Sequence, residues 1–123
     1  MRSSLDEEKF QHGIEQFNAM QFFEAHETWE EIWLAAPEPE KTFLQGIIQV
    51  SAAFHHYRRG NRSGTQSLLR AGLRKLEQFP GNHRGLKLTE LRAAGRRWAA
   101  AIAAGEDPGE AELPQIEACG RSD

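Results

Sequence analysis

An all-helical fold, a compact bundle or array of about five helices, is what this 123-residue sequence predicts, and three observations lead to it. Apolar residues recur at spacings of three and four along most of the chain, no alternating strand pattern stands out, and glycine or proline punctuates the periodic runs. With 39% hydrophobic residues the chain fits one core. A single domain over residues 1–123 is expected, its helical core over about 5–104 and an acidic C-terminal strap or tail over 105–123.

Ser4 followed by Glu7 makes a capping box, and Phe10, Gly13, Ile14 and Phe17 follow at helical spacing, predicting a first helix over about residues 5–18. Asn18 to Gln21 is a tight connection into a second helix that runs to about Ala36, where Pro37 and Pro39 break it. Connections this short favour antiparallel neighbours. A third helix, over about 38–59, presents Phe43, Ile47, Val50, Phe54 and Tyr57 in one stripe that Leu44, Ile48 and Ser51 widen. Such a helix belongs at the centre of the core, and its exceptions, Gln45, Gln49 and His56, form their own polar line.

Gly60 ends the third helix and Asn61 caps a fourth, which carries Leu68, Leu69, Leu73 and Leu76 before Phe79, Pro80 and Gly81 stop it. Residues 81–87 read as a loop. Thr89 then caps a fifth helix with Leu91, Ala94, Trp98 and Ile102 at core spacing, closed by Gly105. The expected architecture is two antiparallel helical hairpins plus this C-terminal helix. Beyond Pro108, Leu113, Pro114 and Ile116 are placed to pack as an extended strap.

Net charge is only −3, but it is segregated along the chain. Two basic face ten acidic residues up to residue 40, twelve face two from 41 to 97, and one faces six thereafter. Acidic and basic helices lying side by side account for this pattern. The sharper alternative is an anion-binding face of Arg58, Arg59, Arg62, Arg70, Arg74, Arg84, Arg92, Arg96 and Arg97, but no interleaved exposed aromatics or nucleic-acid module accompany them, so nucleic acid is not the expected partner. No apolar run approaches the roughly 18 residues of a membrane span. No signal-peptide core is present in residues 1–20, and the lone Cys119 permits neither an internal disulfide nor a cysteine metal cluster. A cytoplasmic protein without membrane contact is expected.

The most informative stretch is Phe22 to Trp33, FFEAHETWEEIW. Helical periodicity puts Phe22, His26, Trp29 and Trp33 in one stripe, flanked by Ala25, Ile32 and Ala36, with Glu24, Thr28 and Glu31 opposite. Glu27 and Glu30 lie at its border beside Phe23 and Leu34, so at least one carboxylate is expected where water is scarce and a partner is needed. His26 is that partner for Glu30, four residues on.

These residues, in FNAMQFFEAHETWEEIW, together with FLQGIIQVSAAFHHYRRGN and the leucines of SLLRAGLRKL, resemble the small all-helical prokaryotic family catalogued as domain of unknown function 309. The likeness covers about residues 8–80, with Phe17 and Asn18, the cluster Glu24, Ala25, His26, Glu27, Trp29, Glu30 and Trp33, and Gln45, Gly46 and Gln49 as its most specific parts. The resemblance implies a compact helical bundle or array and no established activity.

Three kinds of chemistry compete for the cluster. Imidazole and carboxylate four apart on a helix can bind a divalent ion, which makes His26, Glu27 and Glu30 metal candidates. A zinc-hydrolase helix needs a second histidine where Glu30 stands, the di-iron pattern needs an acidic residue where Phe23 stands, and His55 and His56 approach only if the third helix turns its polar line towards the second. Acid–base catalysis lacks a nucleophile, since Ser51 has no sharp strand-to-helix turn beneath it. The reading that survives is a polar seam in which His26, Glu27, Glu30, Gln45 and Gln49 satisfy one another between the second and third helices. The expected protein is therefore a non-catalytic helical binding or scaffolding domain with no cofactor, its partner another protein or a second copy of itself. A metal-dependent or acid–base hydrolytic enzyme centred on His26, Glu27 and Glu30 is the alternative.

Overall fold

The computed structural model describes residues 3–119. Its five α-helices are α1 (Ser4–Asn18), α2 (Phe22–Trp33), α3 (Glu40–Arg58), α4 (Arg62–Leu76) and α5 (Leu88–Ala103). Successive helices run antiparallel, as the short connections predict. Lys9 meets Glu31 and Thr28 donates to Gln16 across α1 and α2, Ser51 donates to the Phe22 carbonyl across α2 and α3, and Lys75 donates to Gln49 across α3 and α4. α3 is central. Its Phe43, Leu44, Ile47, Ile48, Val50 and Phe54 are buried, and ring contacts from Phe10 and Phe17 of α1 and Trp98 of α5 close over them.

Two close approaches set the helix spacing. A Cβ at Gly13 would fall inside the indole of Trp29, whose Nε1–H donates to the Phe10 carbonyl at 3.1 Å. At the α3–α4 crossing, a Cβ at Gly72 would come within 2.8 Å of the Gly46 carbonyl oxygen. Glycine inside a helix costs about 1 kcal/mol relative to alanine, and at both places the close packing it permits offsets that cost.

The helix boundaries differ from the sequence expectation where two residues compete for one role. Ser3, not Ser4, caps α1 by accepting the Asp6 N–H at 3.0 Å, which leaves both Asp6 and Glu7 in the first turn beside the positive end of the helix dipole. Asn61 caps α4 as expected, accepting the Gly64 N–H. Thr89 does not cap α5; the Gly81 carbonyl accepts the first N–H groups, those of Leu88 and Thr89. α3 begins at Glu40, and the Glu38 carboxylate ahead of it takes both the N–H and the hydroxyl of Thr42, which lowers its pKa below the usual carboxylate value.

Residues 81–87 hold a small hairpin rather than a plain loop, β1 (Asn82–His83) paired with β2 (Leu86–Lys87). Arg84 and Gly85 both have positive φ, as a two-residue turn matched to the strand twist requires. Strands of two residues contain no alternation to read. The C-terminal strap extends this hairpin: the Lys87 N–H donates to the Glu117 carbonyl and the Cys119 N–H to the Gly85 carbonyl. Asn18 clamps the strap from the other side, its side-chain amide donating to the Ile116 carbonyl while its oxygen accepts the Ile116 N–H. Ile116 is buried, as the strap expectation requires.

No helix among the described residues is long and apolar enough to cross a membrane.

Trp29→Ala should lower unfolding free energy by about 3–5 kcal/mol, whereas Trp33→Ala, at the half-buried edge of the core, should cost less than half of that. Urea unfolding of the two variants measures the difference, and equal losses would refute the burial assigned to these rings.

Candidate functional site

The side of α2 that faces the core is Phe22, Ala25, Trp29 and Ile32. This corrects the stripe expected from periodicity: Ala25 and Ile32 take the centre, and His26 and Trp33 move to the edge next to α3. The rotation is roughly 50° about the helix axis at 100° per residue. It follows from the seat of Trp29 on Gly13, because a ring anchored there cannot share its direction with both His26 and Trp33.

Rotation carries the acids outward. Glu27 and Glu30 are both exposed, Glu30 with 48% of its side chain accessible, so neither carboxylate lies where water is scarce. Phe23 and Leu34 beside them are 45% and 70% exposed. His26 is half-buried with Nε2 3.3 Å from the Glu30 carboxylate, while its Nδ1 is shut off from water and has no hydrogen-bond partner. A carboxylate next to Nε2 favours the proton on that nitrogen, which leaves Nδ1 as a bare acceptor in an apolar setting. A general base needs a ring nitrogen open to a substrate, and here one nitrogen is sealed and the other is turned to Glu30.

His26 and Glu30 are the two expected site residues that the structure brings together. Glu27 points to solvent, and Gln49 accepts from Lys75 of α4 instead of facing α2. Gln45 and Gln49 are half-buried and make no hydrogen bond to His26 or Glu30. Ser51, the hydroxyl considered as a nucleophile, is buried and donates to the Phe22 carbonyl at 2.8 Å, so it ties α2 to α3.

Two neighbours were not picked out as site residues by periodicity. The His55 ring of α3 lies tilted 5.2 Å from Phe23, whose ring also meets His26 at 5.7 Å, and Lys41 lies 4.4 Å above the Trp33 ring. Both sit where the polar edge of α3 passes α2. The signal available in sequence was the antiparallel register of the two helices, which pairs the end of one with the start of the other. Among the described residues, no group of three or more histidine, cysteine, aspartate or glutamate side chains is placed to hold a metal ion.

The arginines do not form one face. Arg84 is turned inward, its side chain 3% exposed, ion-paired with Glu40 at 3.0 Å and stacked 3.9 Å from the Phe10 ring. It lines a cleft of about 790 Å³ between the start of α1 and Pro37–Glu40. Arg92 donates to the Leu76 and Phe79 carbonyls at the end of α4, and Arg62 donates to the Ile102 and Glu106 carbonyls at the end of α5. Those are cations at helix C-termini, where orphan carbonyls and the dipole both welcome them. Arg58 pairs with Glu110 of the strap, and Tyr57 beside it donates to Asp107 at 2.6 Å, with burial and that bond pushing the phenol up to about 12.

Burial, together with His56, Arg59 and His26, lowers the pKa of His55 below 6.5, with Glu24 opposing. The folded chain thus releases this proton while the unfolded chain still holds it, so stability falls as pH drops from 6.5 towards the folded value. A proton NMR titration should give His55 a midpoint under 6.5 that rises in Arg59→Ala; a midpoint at or above 6.5 in the parent protein would contradict the assigned burial.

Sequence comparison finds two uncharacterized relatives. An uncharacterized protein of Aquifex aeolicus (strain VF5) is 33% identical over 78 residues, covering 63% of this chain and 23% of that protein. Uncharacterized protein YpuF of Bacillus subtilis (strain 168) is 37% identical over 57 residues, 46% of this chain and 33% of YpuF. The chain therefore spans between 23% and 33% of the length of these relatives. Residues 10–68, which contain most of α1, all of α2 and α3, and the start of α4, match the family model described as Domain of unknown function (DUF309).

Proposed function

We propose that this chain is a non-catalytic binding or scaffolding module, a single cytoplasmic domain whose working surface is the outward side of α2. The observation that supports this reading is the division of the FFEAHETWEEIW segment. Phe22, Ala25, Trp29 and Ile32 are consumed by the core, whereas Phe23, Glu27, Glu30 and Leu34 stand in solvent, where folding alone does not require them. Large exposed apolar side chains beside carboxylates are a feature of protein recognition, in which a ring or aliphatic group anchors and a polar rim orients.

His26 serves this surface as its stiffener. Its ring is wedged between Phe23 and the Glu30 carboxylate, and it holds both in one geometry. Preorganised side chains lose less entropy on binding, which raises affinity without adding contacts. The matched segment also recurs within longer relatives, a distribution that suits a module joined to other parts.

The test is a photo-crosslinking residue placed at Glu30 in the native host, with the same residue at Glu15 on the outer side of α1 as control. A discrete heterologous adduct from position 30 and none from position 15 is expected. Adducts at neither position, together with stoichiometric metal in untagged protein that is lost in His26→Ala, would replace the binding role with the metal-dependent one.

A further inference from the structure

We infer that the outward side of α2 receives a cationic amphipathic helix from another protein. The inference rests on the binding role proposed above and names the partner's chemistry.

Four large hydrophobic residues are exposed in the described chain: Leu5, Met20, Phe23 and Leu34. Two of them, Phe23 and Leu34, lie on one line of α2, because positions 23, 27, 30 and 34 differ by four, three and four and so fall within a narrow sector. Leu34 keeps helical backbone geometry at the C-cap, so the line continues to it. Eleven residues at 1.5 Å each separate the two anchors by about 16 Å, three turns of helix. Between them stand the exposed Glu27 and Glu30. The surface is thus apolar at both ends and acidic in the middle.

That order selects the partner class. Glu24 and Glu27 have no ion pair among the described residues, Glu30 has His26 alone, and Glu31 turns away to Lys9 on the α1 side. Of the nearby cations, Lys41 is engaged with the Trp33 ring and the Leu34 carbonyl, Arg58 with Glu110 and the Met20 carbonyl, and Arg59 stands at the Phe23 end, outside the stretch from Glu27 to Leu34. An anionic lipid surface or a nucleic acid would be repelled by this row of carboxylates, while lysine or arginine between two apolar anchors would meet it with opposite charge. A straight line three turns long is also the footprint of a helix packed nearly parallel, whose own apolar residues recur at spacings of three, four and seven. A strand would add to a sheet edge, which α2 does not provide.

The experiment titrates the isotope-labelled full chain with a synthetic helical peptide of leucine and lysine, and with the peptide in which glutamate replaces lysine. The lysine peptide should bind saturably, with NMR shifts concentrated at Phe23, Glu27, Glu30, Leu34 and the adjoining His26 and Trp33. Phe23→Ser with Leu34→Ser should weaken Kd at least tenfold at an unchanged melting temperature. Glu27→Lys with Glu30→Lys should shift preference to the glutamate peptide. The same charge change on α1, Glu8→Lys with Glu15→Lys, should leave Kd within twofold. Equal effects of the α1 and α2 reversals, shifts spread over every acidic surface, or no saturable binding would each overturn the inference. If the lysine peptide fails while crosslinking from position 30 persists, the partner class is wrong and the binding role of α2 stands; loss of both removes the role itself.

Discussion

The seat of Trp29 on Gly13 decides how this chain is arranged. An indole pressed against bare backbone, with its N–H on the Phe10 carbonyl, fixes both the distance between α1 and α2 and the rotation of α2 about its own axis. Rotation is the quantity that matters for function. Every residue of α2 is assigned to core, edge or solvent by that one angle, and a turn of one residue would exchange the exposed carboxylates for apolar side chains. Phe10 and Phe17 then pack against the indole, with Phe43 behind Phe10, so the angle is held by packing on more than one side.

The segregated charge of the sequence is neutralised in part across segments, Arg84 pairing with Glu7 and Glu40 and Arg58 with Glu110, and it has a second structural use. Arg62 and Arg92 end helices, Arg84 reaches from the hairpin turn to Glu40 and the Phe10 ring, and Arg58 holds the strap. Each replaces a carbonyl's or carboxylate's contact with water by a charge-assisted hydrogen bond. With these arginines employed inward or along the strap, the acidic outer sides of α1 and α2 keep their sign, and the molecule presents a negative surface at the place where its exposed apolar side chains also lie.

Much of the fold was legible in the sequence because long helices write their core positions repeatedly. Phe43, Ile47, Val50 and Phe54 point the same way four times over, and a misreading of one would not move the stripe. The strap was legible through Ile116, an apolar residue stranded in an acidic stretch. The candidate site was harder. In α2, the sets Phe22–His26–Trp29–Trp33 and Phe22–Ala25–Trp29–Ile32 share two members, and local periodicity ranks them almost equally. A glycine thirteen residues upstream of His26 settles the choice, which is a tertiary fact with no local signature. The hairpin at Arg84 and Gly85 was missed for a different reason: its information lies in backbone dihedrals and not in any pattern of side chains.

At the crossing of α3 and α4, Gly46 and Gly72 put main chain directly against main chain. Such a joint has no adjustable part. Elsewhere in the molecule a lineage can trade valine for isoleucine and tune a gap by one methyl group, but here the smallest possible edit already forces two rods apart. The spacing of α3 and α4 therefore changes in steps rather than by gradual drift, and variation is channelled to residues on their outer surfaces, where it leaves the scaffold untouched.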